Sequence, residues 1–415
     1  MKSTLPTSVD VLVVGAGPAG LTASTVLHSR GVHHLTVDRA PLGTNTSRAA
    51  VVHARTLEVL DDIGIADTLV ERGVVVPTFT VRDHDRVLVT IGFDDLPTRF
   101  PYTLMVPQNI TEAVLADHLR TQGGSITPGW RLDRIDLDTD PGRVHADLVD
   151  EDGRRSTIAA RYLIAADGMH STARELVGIP FQGAAYPQSF VLADVRMDWS
   201  LPADEVQLFF SPAGLVVVAP LPGGHHRVVA TVDDAPEHPD LADITDLLST
   251  RGPRSNPTHV HEVAWSSRFR VHHRLAATYR HGPVLLAGDA AHVHSPAGGQ
   301  GMNIGIQDAA LLANLIADVT TGDAPDQSLD AYEERRRPIA RGVVRLTDRM
   351  TRAATLHGPA TRVRNLALRT AGALPPVRHA LAMNLSELNT GERQTHAPAT
   401  RRSPRRATSE PGQHR

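Results

Sequence analysis

The stretch Leu285-Leu286-Ala287-Gly288-Asp289-Ala290-Ala291-His292, running on through Ser295-Pro296-Ala297-Gly298-Gly299-Gln300-Gly301-Met302-Asn303, decides how this chain is read. An apolar run ends in Gly-Asp, a glycine-rich loop follows, and a helix is predicted to start near Met302. That order places an acceptor carboxylate and several uncommitted backbone N–H groups around one point, where an anionic ring or a polyol chain fits. A second glycine-rich turn, Gly15-Ala16-Gly17-Pro18-Ala19-Gly20, lies far away in sequence. Two such places in one chain point to a long, two-ended cofactor.

Val9 to Val14 is a short β-branched run and reads as a buried parallel strand. The glycine turn follows it, Leu21 to Ser29 has helical spacing, and Leu35 to Val37 is a second strand ending at Asp38. In this βαβ setting Gly15-x-Gly17-x-x-Gly20 permits close approach of a pyrophosphate to a helix N-terminus, and Asp38 can accept from a ribose hydroxyl. The competing reading is a glycine-rich turn in an unrelated α/β protein. A third turn, Asp167-Gly168-Met169-His170-Ser171-Thr172-Ala173-Arg174, again follows an apolar strand, Arg161 to Ala166. Its carboxylate, hydroxyl and arginine could orient a diphosphate; taken alone, the favoured reading is a capped helix start, with Asp167 or Ser171 as cap and Arg174 in solvent.

His292 and His294 near Asp289 invite a metal reading, but an i, i+2 pair beside one carboxylate is a loose ligand set, and no metal is expected. Arg335, Arg336 and Arg337 read as a solvated helix face. The pairs His33-His34, His225-His226 and His272-His273 read as surface.

Cysteine is absent, which removes disulfides, thiolate metal sites and redox-active cysteine pairs. A net charge of −4 gives no reason to expect nucleic acid or an anionic membrane as partner. Met1 to Asp10 lacks a signal-peptide pattern, and no stable membrane anchor is expected, so the reading is a cytoplasmic protein. The pattern specifies no oligomer.

The 415 residues suffice for two or three domains. The expected class is α/β, or α+β overall: a discontinuous Rossmann-like domain with an inserted antiparallel sheet and C-terminal helices. The nucleotide-binding pieces are placed at 1–75, 107–180 and 276–330. Strands over 76–106 are shared with the inserted sheet of 181–275, a helical region covers 331–389, and a Pro-, Ser-, Thr- and Arg-rich tail over 390–415 is expected to be disordered.

Taken together and in this order, the three turns resemble those of the FAD-dependent aromatic hydroxylases, single-component flavoprotein monooxygenases with the p-hydroxybenzoate hydroxylase fold. The resemblance covers roughly residues 8 to 390. Ser47-Arg48-Ala49 ahead of His53-x-Arg55-Thr56-Leu57-Glu58 is similar to the branch acting on polyketide-type aromatics and antibiotics, and the C-terminal thioredoxin-like domain often found there is not expected.

The resemblance implies FAD as cofactor, NADPH or NADH as co-substrate, O2, and hydroxylation of a small phenolic or polyketide-like aromatic through a flavin C4a-hydroperoxide. It implies that Gly15, Gly17, Pro18, Ala19 and Gly20 line the FAD pyrophosphate, with Asp38 on the adenosine ribose and Arg39 near the adenine. Gln108 reaches the adenosine-ribityl side, Asp167 serves FAD, and Gly288-Asp289 holds the ribityl hydroxyls. Gly299, Gly301, Met302 and Asn303 belong to a helix start presenting N–H groups to the flavin pyrimidine. Arg48 beside the flavin and Pro296 at the reaction site are the catalytic candidates. A family halogenase would need an active-site lysine, and Lys2 is the sole lysine. A non-oxygenating flavin oxidoreductase and a non-catalytic aromatic-binding paralogue stay open as alternatives.

Overall fold

The strand Ser8–Val14 is apolar along nearly its whole length because it is covered on both faces, the signature of a central parallel strand. It pairs in parallel with His34–Asp38 on one side and with Arg155–Ala165 on the other. Arg155–Ala165 in turn pairs in parallel with Val284–Leu286. Val14 is thus in register with Val37 and Ala165, and Ala165 with Leu286. Because these four strands run in one direction and end level, Gly15, Asp38, Asp167 and Gly288 all emerge at the same sheet edge. That edge is where open parallel sheets bind ligands. The computed structural model describes residues 5–43, 49–211, 213–232, 235–295, 298–354, 356 and 359–389.

Two helices, Pro18–Ser29 and Gln300–Thr321, pack against each other and this sheet. Their approach depends on small residues: a Cβ added at Gly305 would lie 3.2 Å from the Gly288 Cα and 3.9 Å from the Ala19 Cβ. An antiparallel hairpin, Trp130–Asp136 with Val144–Asp150, extends the sheet from Arg155–Ala165. The sequence reading did not find it. Its strands are interrupted by Arg131, Asp133, Arg134, Asp136, Asp147 and Asp150, and contain no apolar run long enough to announce them.

The second sheet has eight strands in the order His292–Val293, His259–Ala276, Phe181–Asp198, His225–Val232, Gly214–Leu221, Glu205–Ser211, Thr78–Asp83 and Arg86–Gly92. The expectation of a wholly antiparallel sheet is corrected at one place: Glu205–Ser211 pairs in parallel with Thr78–Asp83, because that strand comes from a distant part of the chain rather than from a hairpin. Val74–Val76 leaves this sheet and joins Val51–Val52 and Thr103–Met105 in a three-stranded sheet. Immediately after Asp289, His292–Val293 pairs with Arg274 and Leu275, so the chain crosses from the first sheet to the second at the Gly-Asp turn. The helices Asp330–Ala354, Pro359–Gly372 and Pro375–Leu385 complete the described chain. The tail over 390–415 lies outside the described residues.

The solvated reading of the arginine-rich helix fails at Arg336. It is buried, and its Nε donates to Asp308, a carboxylate with no exposed side-chain surface. His292 Nε2 faces the other Asp308 oxygen at 2.5 Å. Among the described residues, no helix is long and apolar enough to cross a membrane.

Candidate functional site

One cleft of about 1010 Å³ runs from the edge of the parallel sheet to the face of the second sheet. Small-molecule sites are commonly about 300–1,000 Å³, so this one is large enough for an extended ligand plus a second molecule. At its first end lie Gly15, Gly17, Pro18, Ala19, Asp38 and Arg39.

The three glycines of the first turn do different work. Gly15 has φ +104°, and an added Cβ would lie 2.2 Å from the Ala166 carbonyl oxygen. Gly20 does not face the cleft as expected: a Cβ there would lie 1.9 Å from the Gly15 carbonyl oxygen, so it serves the packing of helix on turn. Gly17 is the N-cap of the helix in extended backbone, and an added Cβ would meet no protein atom within 4 Å. Asp38 holds this turn together. Its Oδ2 accepts from the Ala16 N–H at 2.6 Å and its Oδ1 from the Ala40 N–H at 2.8 Å.

Asp167 stands beside them. Its Oδ2 accepts from the Ala173 N–H at 3.1 Å, while Oδ1 is buried without a partner. Burial raises its pKa above the ordinary carboxylate value, against the hydrogen bonds from Ser171 and the backbone. A stranded acceptor on the wall of a ligand-sized cleft fits a bound hydroxyl-bearing chain. Arg174 has neither of the roles considered for it. It is buried, donates to the carbonyls of Ala290 and Met169, both at 2.9 Å, and sits 3.9 Å over the Phe181 ring. It therefore staples the Asp167 turn to the Gly288-Asp289 turn. Ser171 caps the short helix by accepting from the Arg174 N–H.

Asp289 lines the cleft and is exposed to it. Gly288 has φ +60°, and a Cβ there would lie 3.1 Å from that of Ala19. Beyond them Gly299, Gly301 and Met302 line the cleft where helix Gln300–Thr321 begins. The N-cap, Gly299, offers no side-chain hydrogen bond, so the first-turn N–H groups are available to a ligand. Asn303 is buried behind this surface. Its Oδ1 accepts from the His53 N–H, and its Nδ2 donates to the carbonyls of Val51 and Gly299. Its side chain thus shapes the loop from behind. Gln108 lines the cleft and donates to Glu112 at 2.8 Å. Arg48 and Pro296, the two catalytic candidates, lie outside the described residues.

Several cleft residues escaped the sequence reading. Trp130 and Arg131 reach it from the unpredicted hairpin. His272, read as surface, lines it as well. His292 is committed to Asp308, whereas His294 is a wall residue whose Nδ1 pairs with the Ser295 carbonyl and whose Nε2 has no partner. Burial pushes the His294 pKa down to about 4, so its ring is neutral. The far chamber is floored by Phe190, Leu192, Leu208, Phe210, Val217 and Phe269, with Phe190 and Phe269 stacked at 5.8 Å. Strand alternation puts these residues on one face. The alternation was visible in sequence; which face would meet the cofactor domain was not.

A nucleotide-binding parallel sheet sharing one cleft with an apolar-floored second sheet defines a two-part ligand-binding protein. The chain belongs to the FAD binding domain family, whose description matches residues 8–347. It is 36% identical over 352 residues to pentachlorophenol 4-monooxygenase of Sphingobium chlorophenolicum, covering 84% of this chain and 65% of that protein. It is 40% identical over 335 residues to 6-methylpretetramide 4-monooxygenase of Streptomyces rimosus, covering 80% and 59%. The chain thus spans about three-fifths of the length of these relatives. Among solved structures, p-nitrophenol 4-monooxygenase from Pseudomonas putida DLL-E4 is similar with a TM-score of 0.83 at 27% identity, over 93% of this chain and 100% of that one.

Proposed function

We propose that this protein is an FAD-dependent monooxygenase that uses NADPH or NADH and O2 to hydroxylate a small phenolic or polyketide-like aromatic. The observation that carries the reading is the continuity of the cleft, from Gly17 past Asp167 and Asp289 to the apolar chamber at Phe190 and Phe269. Gly17 leaves room for a pyrophosphate at a helix N-terminus, and Asp167 and Asp289 supply acceptors for a polyol between the two ends. The helix start at Gln300 would hold the far end. Bound FAD supplies the redox and oxygen chemistry. The chain's own part is to aim donors, orient the ring system and exclude water.

The uncapped N–H groups of Gly301 and Met302 favour negative charge on a pyrimidine edge. A helix end contributes about 0.3–1 kcal/mol when exposed and up to ~2 kcal/mol when partly buried. The aromatic floor favours a flat apolar substrate. The identity with phenol- and polyketide-acting monooxygenases supports the same substrate classes.

The test is to load the purified protein with FAD and follow NADPH and NADH oxidation with a panel of phenols, naphthoquinones and tetracycline-type compounds under ¹⁸O2. Substrate-stimulated oxidation with label in the product is expected. Stimulated oxidation with no label in any product would refute oxygen insertion.

A further inference from the structure

The loop that opens helix Gln300–Thr321 has no shape of its own to keep. Gly298 and Gly299 are both left-handed, with φ +84° and +67°. Glycine enters and leaves that conformation without steric resistance. The helix is uncapped by any side chain. Yet these are the peptides whose orientation determines whether the following N–H groups point into the cleft or away from it. Something outside the loop must hold them.

We infer that His53 is a positioning residue for the flavin-facing loop: its imidazole N–H anchors the Gly298 carbonyl and so keeps the first-turn N–H groups of the helix aimed at the cofactor. His53 Nε2 lies 2.7 Å from the Gly298 oxygen. Its backbone N–H donates to Asn303 Oδ1 at 2.8 Å, and Asn303 Nδ2 grips the carbonyls of Val51 and Gly299 at 2.9 and 2.7 Å. A Cβ at Gly299 would collide with the Val51 side chain at 2.7 Å, so strand and loop are in direct contact. The strand Val51–Val52 is itself fixed by pairing with Thr103–Met105. His53 therefore ties a loop with no stiffness to a sheet that has it.

The chemistry of the ring agrees. His53 has no exposed surface, and burial depresses its pKa to about 4 against the opposing Gly298 hydrogen bond. The ring is neutral near pH 7 and carries one N–H. With that proton on Nε2, facing a carbonyl that can only accept, Nδ1 is an acceptor buried without a partner. An apolar ring would fill this space without stranding a nitrogen. Buried polar atoms without partners are uncommon, and one retained beside a working donor points to use of that donor.

The inference rests on the reading that this end of the cleft takes the flavin ring, and the experiment separates the two. FAD affinity, ADP affinity and the midpoint potential of the bound flavin are measured for the parent, His53→Phe and His53→Gln. Phe keeps the ring shape and the backbone N–H but removes the donor; Gln restores an N–H at similar reach. His53→Phe is expected to weaken FAD binding about 5- to 10-fold, the worth of one buried hydrogen bond, with ADP affinity unchanged. The potential should fall, because misaimed donors stabilise the reduced anion less, and Gln should return the FAD affinity to within about two-fold of the parent and the potential to the parental value.

Parental affinity and potential in His53→Phe would overturn the inference while leaving the cleft assignment intact. Failure of the parent to bind FAD would overturn the cleft assignment itself, and the inference with it. Should His53→Phe not fold, His53→Leu replaces it as the donor-less variant: a several-fold loss of FAD affinity with intact ADP affinity that His53→Gln does not share supports the inference, and parental FAD affinity overturns it.

Discussion

Replacing Arg336 with Met removes one partner from the buried charge cluster behind the cofactor-side helix. Asp308 has no exposed side-chain surface and is held by Arg336 on one oxygen and His292 on the other. Burial alone would raise its pKa, but the attraction of Arg336, then of His292, outweighs burial and holds the carboxyl below its ordinary value. Breaking a buried pair from one side costs about 3–5 kcal/mol, because the remaining charge is stranded. His292 stays in place, so the lower end, about 3 kcal/mol, is expected. Met preserves most of the stem packing, which leaves charge as the main change.

The sign with pH follows from the depressed pKa. The stability that Asp308 contributes is present above its unfolded pKa and is lost as pH falls through the folded one. The gap between parent and variant that this pKa carries should therefore be intact at pH 7 and narrow only as the pH falls below 3.8. The assay is urea unfolding of the apoprotein followed by tryptophan fluorescence. Adding Asp308→Asn to Arg336→Met should recover at least about 1 kcal/mol, since the two groups are coupled. A loss below about 1 kcal/mol in the single variant, or simple additivity in the double, would refute the reasoning.

Three further outcomes are expected. Glu387 is fully buried; burial pushes its carboxyl from 4.5 up to about 8, against the hydrogen bond from Gln307. Its contribution is therefore whole below 4.5 and is lost as pH rises to 8, so Glu387→Gln should gain on the parent by roughly 3 kcal/mol between pH 5 and 8. Melting curves across that range check this, and a pH-independent difference would contradict it. Gly17→Ala should leave apoprotein stability within about 0.5 kcal/mol while weakening FAD binding about 10-fold or more, whereas Gly20→Ala should destabilise the apoprotein itself. Equal behaviour of the two variants in thermal unfolding would remove the distinction between the ligand-facing and the packing glycine. Asp289→Ala is expected to lose FAD affinity with the fold intact by circular dichroism; full retention of FAD would show that this carboxylate does not hold the ribityl chain.

Much of the site was legible because its parts are local. A strand that stops, a glycine that turns and a helix that starts are encoded within about ten residues, so Gly15, Asp38, Asp167 and Asp289 could be named from the chain alone. Direction was less legible. Gly20 and Asn303 were grouped with ligand-facing residues, yet one meets the Gly15 carbonyl and the other the backbone of Val51, His53 and Gly299. Arg174 and Arg336 looked like surface or phosphate-binding cations because charge is the strongest prior for an arginine. Both are buried where carbonyls or a carboxylate from other segments come to meet them.

What the residues determined by themselves was the list of turns and the direction of the strands feeding them. Parallel strands of matched register must deliver their following turns to one edge, so the convergence was implicit in the pattern. The tertiary structure alone decided what stands opposite that edge: the unannounced hairpin with Trp130, the Phe190 face of the second sheet, and the His53 grip on Gly298. Those contacts join residues far apart in the chain, and no local propensity encodes a partner that only packing brings within reach.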